Sequence, residues 1–152
     1  MVAKGDEAVL TELDSWLVSS STEGGELALE VEPEGLMEVI GCLKKAGYEY
    51  FCYVTAVDRK DRFELMYRIS SLVPLRDAAI KVSLPRDRTS VGSIAGIFKG
   101  ADWQEREVYD LFGIEFVGHP NLRRLMMPED WVGHPLRKDY EDERIEKRPN
   151  IY

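Results

Sequence analysis

The chain has 152 residues, of which 44% are hydrophobic and 32% charged, and its formal net charge is −8. That balance fits one soluble domain with a real core, and its acidity argues against nucleic acid, whose phosphates need a basic footprint. No apolar run approaches the roughly 20 residues that span a bilayer, and Met1–Asp14 mixes polar and apolar residues, so it reads as neither signal nor transit peptide.

In chain order, a first helix is predicted over Asp6–Val18, with Leu10, Leu13 and Leu17 on one stripe. Ser19–Gly25 is a loop by composition. Glu26–Glu32 alternates Leu27, Leu29 and Val31 with polar neighbours, as a half-buried strand does. Pro33 suits the first turn of a second helix, which turns Leu36, Val39, Ile40 and Leu43 inward and stops at Gly47. Tyr48–Val57 is aromatic and β-branched on both faces, like a central strand. After a polar turn at Asp58–Arg62, Phe63, Leu65, Tyr67 and Ile69 alternate with Glu64, Arg68 and Ser70, completing a hairpin. Ile80, Val82 and Leu84 mark a further strand. Thr89 or Ser90 then caps a helix burying Val91, Ile94 and Phe98. The last helix starts at Asp102, with Glu105 three residues on as a capping box. It draws apolar contacts from Trp103, Val108, Leu111 and Phe112, and Gly113 ends it.

The fold class that follows is α+β: a mainly antiparallel or mixed sheet of about four strands with helices packed on it, and then a long extended C-terminal segment. We divide the chain into a globular domain, 1–116, and an interaction segment, 117–152. From Ile114 to Tyr140 no period holds, which is uncommon in a compact domain without a functional reason. Leu122, Leu125, Met126, Met127, Trp131, Val132 and Leu136 are too apolar for a disordered tail. Pro120, Pro128, Pro135 and Pro149 keep the segment extended. Arg123, Arg124, Arg137 and Lys138 cluster in an otherwise acidic chain. A stiff, apolar, basic ribbon suits a partner surface, where Met, Arg and aromatic residues are enriched; packing only on its own core is the bland alternative.

Three stretches carry a family resemblance. The first holds Trp103, Glu105, Arg106, Glu107, Tyr109, Asp110 and Gly113. The second holds Gly118, His119, Pro120, Leu122, Arg123 and Arg124. The third holds Trp131, Gly133, His134, Pro135, Leu136, Arg137, Lys138, Asp139 and Tyr140. With Val54–Asp58, Arg62–Glu64 and Tyr67 upstream, the region from Tyr48 to Tyr140 resembles the C-type subunit of respiratory complex I (NuoC in bacteria, NdhJ in chloroplasts, the 30-kilodalton subunit in mitochondria). The resemblance implies a non-redox subunit of the peripheral arm of an NADH:quinone oxidoreductase that couples quinone reduction to proton translocation. It implies no catalytic residue, cofactor or metal on this chain; partner subunits carry the iron–sulfur clusters, and flavin where the complex is NADH-linked. The implied partners are a NuoD-like quinone-site subunit and NuoB- and NuoI-like iron–sulfur subunits, and the implied place is the cytoplasmic side of the cell membrane, or the matrix or stroma side in an organelle. Membrane association then runs through the complex alone. Family members often continue well past this region, whereas here a short charged tail, Glu141–Tyr152, follows.

Other readings compete for the same residues. An equivalent subunit of a membrane-bound hydrogenase, or of a dehydrogenase fed by ferredoxin or a deazaflavin, has the same motifs. A stand-alone acid–base enzyme would use Glu105, Glu107 and Asp110; the structural reading has Glu105 capping and Arg106 pairing with Asp110 four residues on. A zinc site would need His119, His134, Cys42 and Cys52, but the ten-residue cysteine spacing is unlike the short spacing of zinc motifs. The two cysteines form no disulfide framework and are too few for an iron–sulfur cluster; they read as buried apolar residues. Each histidine sits in a Gly-His-Pro turn, and Trp103 and Trp131 read as packing anchors. Without its neighbours, the chain beyond Gly118 is expected to pack less well, or to be held by crystal or oligomer contacts.

Overall fold

The computed structural model describes residues 10–23 and 26–143. Met1–Val9, Gly24–Gly25 and the residues after Glu143 lie outside that range, and with them part of the expected first helix, Pro149 and most of the charged tail. The fold is α+β. A mixed, mostly antiparallel five-stranded sheet has the order β1-β2-β5-β4-β3, from β1 (Leu17–Glu23), β2 (Glu26–Val31), β3 (Tyr50–Asp58), β4 (Arg62–Leu72) and β5 (Leu75–Pro85). Within this sheet, among the described residues, β2 and β5 alone pair in parallel. The helices are α1 (residues 10–13), α2 (Leu36–Lys45) and α3 (Ala101–Phe112). Two short parallel strands, β6 (Ser90–Gly92) and β7 (Glu115–Val117), close the loop side of α3. Among the described residues no helix is long and apolar enough to cross a membrane.

Where the period is clean, the chain folds as read. β2 is buried at every second residue, and Leu36, Val39, Ile40 and Leu43 of α2 are fully buried. Pro33 opens the 3-10 turn that leads into α2, and Gly47 (φ 95°) follows its end. β4 packs Phe63, Leu65, Tyr67 and Ile69, and β5 packs Ile80, Val82 and Leu84, into one core with α2 and α3.

Five local expectations are corrected. The first helix is short: after residues 10–13 a 3-10 turn at Asp14–Trp16 leads directly into β1, so Leu17 is already strand. The stretch read as a serine loop is therefore the fifth strand, antiparallel to β2. An edge strand is paired on one side only, so polar residues serve it and the alternation signal is lost. β3 is the opposite edge, not a central strand; its outward Tyr50 and Tyr53 are exposed, and α3 covers its other face. The Val91–Phe98 helix does not form. Val91, Ile94 and Phe98 are buried from β6 and the turns after it. Gly92 lies where a Cβ would come within 2.9 Å of Met37, and Gly96 weakens any helix there. The capping box is also absent: Gly100 precedes α3 without a side-chain cap, and Glu105 points inward.

Candidate functional site

α3 lies between the sheet and the chain that follows it, and its polar residues serve both sides. Its sequence puts Glu105, Arg106 and Asp110 at positions that neither solvent nor the apolar core takes; Glu105 and Asp110 are fully buried and Arg106 nearly so. Glu105 accepts the Ser93 hydroxyl at 2.5 Å and the Ile94 N–H at 2.7 Å. Burial pushes its pKa up to about 7 despite those two hydrogen bonds, with the nearby Asp102 charge adding to the rise. The Tyr67 hydroxyl is buried and has no hydrogen-bond partner among the described residues, and burial together with Glu105 raises its pKa.

Asp110 has a different environment. Its Oδ2 accepts the N–H groups of Leu125, Met126 and Met127 at 3.0, 2.7 and 2.8 Å, and its Oδ1 accepts Arg124 Nη1 at 2.6 Å. Burial opposes the charge, yet the Met127 N–H, the Arg124 guanidinium and the other two N–H groups hold the carboxyl below the usual carboxylate range. Arg106 does not pair with Asp110 as its spacing suggests. Its guanidinium donates to the carbonyls of Arg123 and Arg124, both at 3.2 Å.

The chain from Gly118 to Glu143 contains no helix or strand and runs along α3 as a strap. His119 fixes its start. The Asn121 N–H donates to Nδ1 at 3.0 Å, so the proton is on Nε2, which donates to the Asp102 carbonyl at 3.1 Å. At the far end of α3, His134 Nδ1 donates to the Asp110 carbonyl at 2.9 Å, and Leu136 N–H to the Leu111 carbonyl at 3.0 Å. Arg137 Nε reaches the Phe112 carbonyl at 2.5 Å, where a cation also favours the negative end of the helix dipole. Gly113 (φ 69°) makes this approach possible, since a Cβ there would sit 2.5 Å from the His134 ring. Gly133 (φ 86°) likewise lies against the Tyr140 ring.

A second clamp holds the strap's end. Asp58, 3% exposed, accepts Arg86 Nη1 at 3.0 Å and the backbone N–H of Lys138 at 2.9 Å and Lys60 at 2.7 Å. Burial works against its charge, and the Lys138 and Lys60 N–H groups and Arg86 hold its pKa low. Arg86 also pairs with Asp139 at 2.8 Å. The guanidiniums of Arg86 and Arg137 lie over the Phe63 ring, 4.9 and 5.1 Å from its centre.

Of the motif residues, the structure thus gathers Arg106, Asp110, Gly113, His119, Arg124, Gly133, His134, Arg137 and Tyr140 into one intramolecular network. Leu122 packs on the core, and Tyr109 lies 6.3 Å from His134, ring to ring. Pro135 and Trp131 are half-buried. The residues left facing outward are Trp103 (65% exposed), Glu107, Pro120, Arg123, Met126, Val132, Leu136 and the side chain of Lys138. Arg124 and Arg137, read as partner-facing, are used within the chain. Sequence reasoning misses Arg86 and Ser93, and it singles out Asp58 only within the resemblance, without its partners: an arginine in a loop, a lone serine and an acid at a strand end carry no signal of whom they will meet.

Two buried carboxylates are occupied by donors from the chain itself, and the two histidines are tied to carbonyls eight residues apart on one helix, about 12 Å. Cys42, on α2, and Cys52, on β3, are free and half-buried. Among the described residues no three His, Cys, Asp or Glu side chains are placed to hold a metal.

An α+β domain with a strap pinned along its last helix is the class these observations define. The chain matches the family described as the respiratory-chain NADH dehydrogenase 30 Kd subunit over residues 29–146, and it belongs to that family. It is 40% identical over 129 residues to the C-type subunit of the NADH-quinone oxidoreductase of Citrifermentans bemidjiense, covering 82% of this chain and 80% of that one. The solved trypsin-resistant fragment (1–134) of Nqo5 is 27% identical, with a TM-score of 0.67, over 78% of this chain and 99% of the fragment. A chain of the archaeal membrane-bound sulfane sulfur reductase shares the fold, with a TM-score of 0.73 at 22% identity over 99% of both chains.

Proposed function

We propose that this chain is a non-redox structural subunit in the peripheral arm of a complex I-like NADH:quinone oxidoreductase, on the cytoplasmic side of the cell membrane or the matrix or stroma side in an organelle. Residues 1–116 are its body and 117–152 its interaction segment. The segment lies on a NuoD-like quinone-site subunit, with NuoB- and NuoI-like iron–sulfur subunits beside it. Electrons and protons move on those partners; this chain keeps their clusters at tunnelling distance and reaches the membrane only through the assembly.

The observation that carries the reading is the strap itself. Its backbone is fixed from within by Asp110, Arg106 and Asp58, while Met126, Val132 and Leu136 face out at 61%, 82% and 52% exposure. A backbone held rigid before contact loses little entropy on binding, which favours a permanent interface. Gentle detergent purification of the tagged chain from its own cells, followed by mass spectrometry, tests this. Co-purification of NuoB-, NuoD- and NuoI-like subunits is expected; a chain that comes alone at every salt and detergent level overturns it.

A related complex with another donor is the second reading, because the sulfane sulfur reductase chain has the same fold. Oxidation of NADH, reduced ferredoxin and reduced deazaflavin by the purified complex separates the two.

A further inference from the structure

β4 and β5 outrun their neighbours. β3 makes its last pair at Tyr50–Ser70 and β2 its first at Glu26–Asp77. The pairs Ser71–Arg76 and Leu72–Leu75 continue alone, projecting about 7 Å beyond the sheet. At the tip of this finger Leu72, Val73 and Leu75 are 64%, 91% and 77% exposed, with Pro74 among them and Tyr50 (55%) at its side. Turn positions normally take Gly, Asn, Asp or Ser. The β3–β4 turn of this chain is polar in that way, with Arg59, Lys60 and Asp61. An apolar tip gains nothing for the isolated domain, and contiguous exposed apolar surface marks a contact site.

The finger is also braced. Ser71 is 2% exposed, and Arg76 lies over the Tyr48 ring at 4.8 Å while donating to the Ala46 carbonyl at 3.1 Å. Its stem is therefore fixed before any partner arrives.

We propose that this finger inserts into an apolar cleft of a second protein subunit, different from the one met by the strap's end. The inference rests on the reading of the chain as a subunit. Two magnitudes select the occupant. Ten residues of β4 separate Leu72 from Arg62, beside which the strap ends at Asp58, so the two surfaces lie about 33 Å apart. One side of a permanent interface is roughly 1,000–2,500 Å², a disc of about 18–28 Å radius; one such patch centred on either surface does not reach the other. A lipid surface is disfavoured because the chain carries a net charge of −8, which anionic headgroups repel.

The test uses the full chain in its own cells, with a photoreactive benzoylphenylalanine at position 73 or, separately, at position 132 on the strap. Position 73 is expected to cross-link to one polypeptide of the purified complex, and position 132 to a different one. An adduct at 73 with lipid, with a second copy of the chain, or with the polypeptide that position 132 finds overturns the proposal. So does no adduct at 73 when 132 gives one. If neither probe finds a partner and the wild-type chain purifies alone, the subunit reading has failed and the finger proposal falls with it. Val73→Asp provides a second check: its 91% exposure predicts a melting temperature within about 3 °C of wild type and a drop of about tenfold or more in recovery with the complex. Unchanged recovery counts against the finger.

Discussion

α3 has a sheet side and a strap side, and the two are held by different means. Towards the sheet, Phe63, Leu65, Tyr67, Ile69 and Ile80 are at most 1% exposed, and apolar burial does the holding. Towards the strap, residues 118–143 are half-buried or exposed apart from the enclosed His119 side chain. There the holding falls to directed hydrogen bonds from a few buried charges. Glu105 and Asp110 show the difference within five residues of one helix. Both are fully buried, but Glu105 meets two neutral donors and is pushed towards its protonated form, whereas Asp110 meets a guanidinium and three backbone N–H groups and stays charged. Apolar burial tolerates an imprecise fit and spreads its strength; a charge network concentrates it in single residues.

The sharpest way to break this comparison is at Asp110. Asp110→Ala leaves three N–H groups and the Arg124 charge without their acceptor, and a broken buried pair costs about 3–5 kcal/mol. Amide exchange at Leu125–Met127 should rise to free-chain rates while β4 and β5 stay protected. Equal acceleration in both regions would show that strap and sheet are one cooperative unit. The matching core change, Leu65→Ala, costs about 2–5 kcal/mol through lost burial and the cavity left behind. It should lower protection in the sheet and the strap together, because the strap has nothing to lie on once the sheet opens.

The carboxylate contrast gives a pH prediction of both signs. The folded pKa of Glu105, about 7, exceeds the usual unfolded value near 4.3. Its contribution is therefore fully present below about pH 4.3 and lost as pH rises through 7, by up to about 4 kcal/mol. Asp110 and Asp58 have lowered values, so theirs is present above the usual carboxylate range and lost as the solution becomes more acidic. Urea midpoints across pH 4.5–8 should fall with rising pH for wild type and stay flatter for Glu105→Gln. Parallel curves would mean that Glu105 does not titrate there.

How much of this is legible in the sequence follows the same divide. Apolar periodicity is written residue by residue, so β2, α2, β4 and β5 are found where Leu27–Val31, Leu36–Leu43 and Phe63–Ile69 put them. The loss of period after Ile114 sets in too early: Glu115–Val117 still forms β7 beside β6, and only from Gly118 to Glu143 does no helix or strand follow. Partners of buried charges are not written locally. Asp110 in sequence is one more acid on a helix, and only the fold brings it Arg124, fourteen residues on. Glu105 misleads for a related reason: spacing from Asp102 fits a cap, but its acceptors are used by Ser93 and Ile94 from another loop. β1 and β6 escape a sequence reading because short or one-sided strands of Ser, Thr and Gly carry little hydrophobic signal.

The smallest effect is expected at Trp103. Its ring is 65% exposed and lies against the Arg106 guanidinium, 5.5 Å from the ring centre. Trp103→Ala in the isolated chain should thus cost about 1 kcal/mol or less, a cation–π contact near the surface. Arg106 keeps its two carbonyl acceptors, so the strap should remain in place. Assembly is where the ring should count, since an exposed Trp beside an ordered Arg is the pairing that binding energy concentrates on. A loss of about tenfold or more in recovery with the complex, at nearly unchanged melting temperature, would place Trp103 on the surface that the pinned strap presents. A large loss of domain stability with normal recovery would instead make it part of the strap's internal packing, and would move the boundary between the two regions to the outer face of α3.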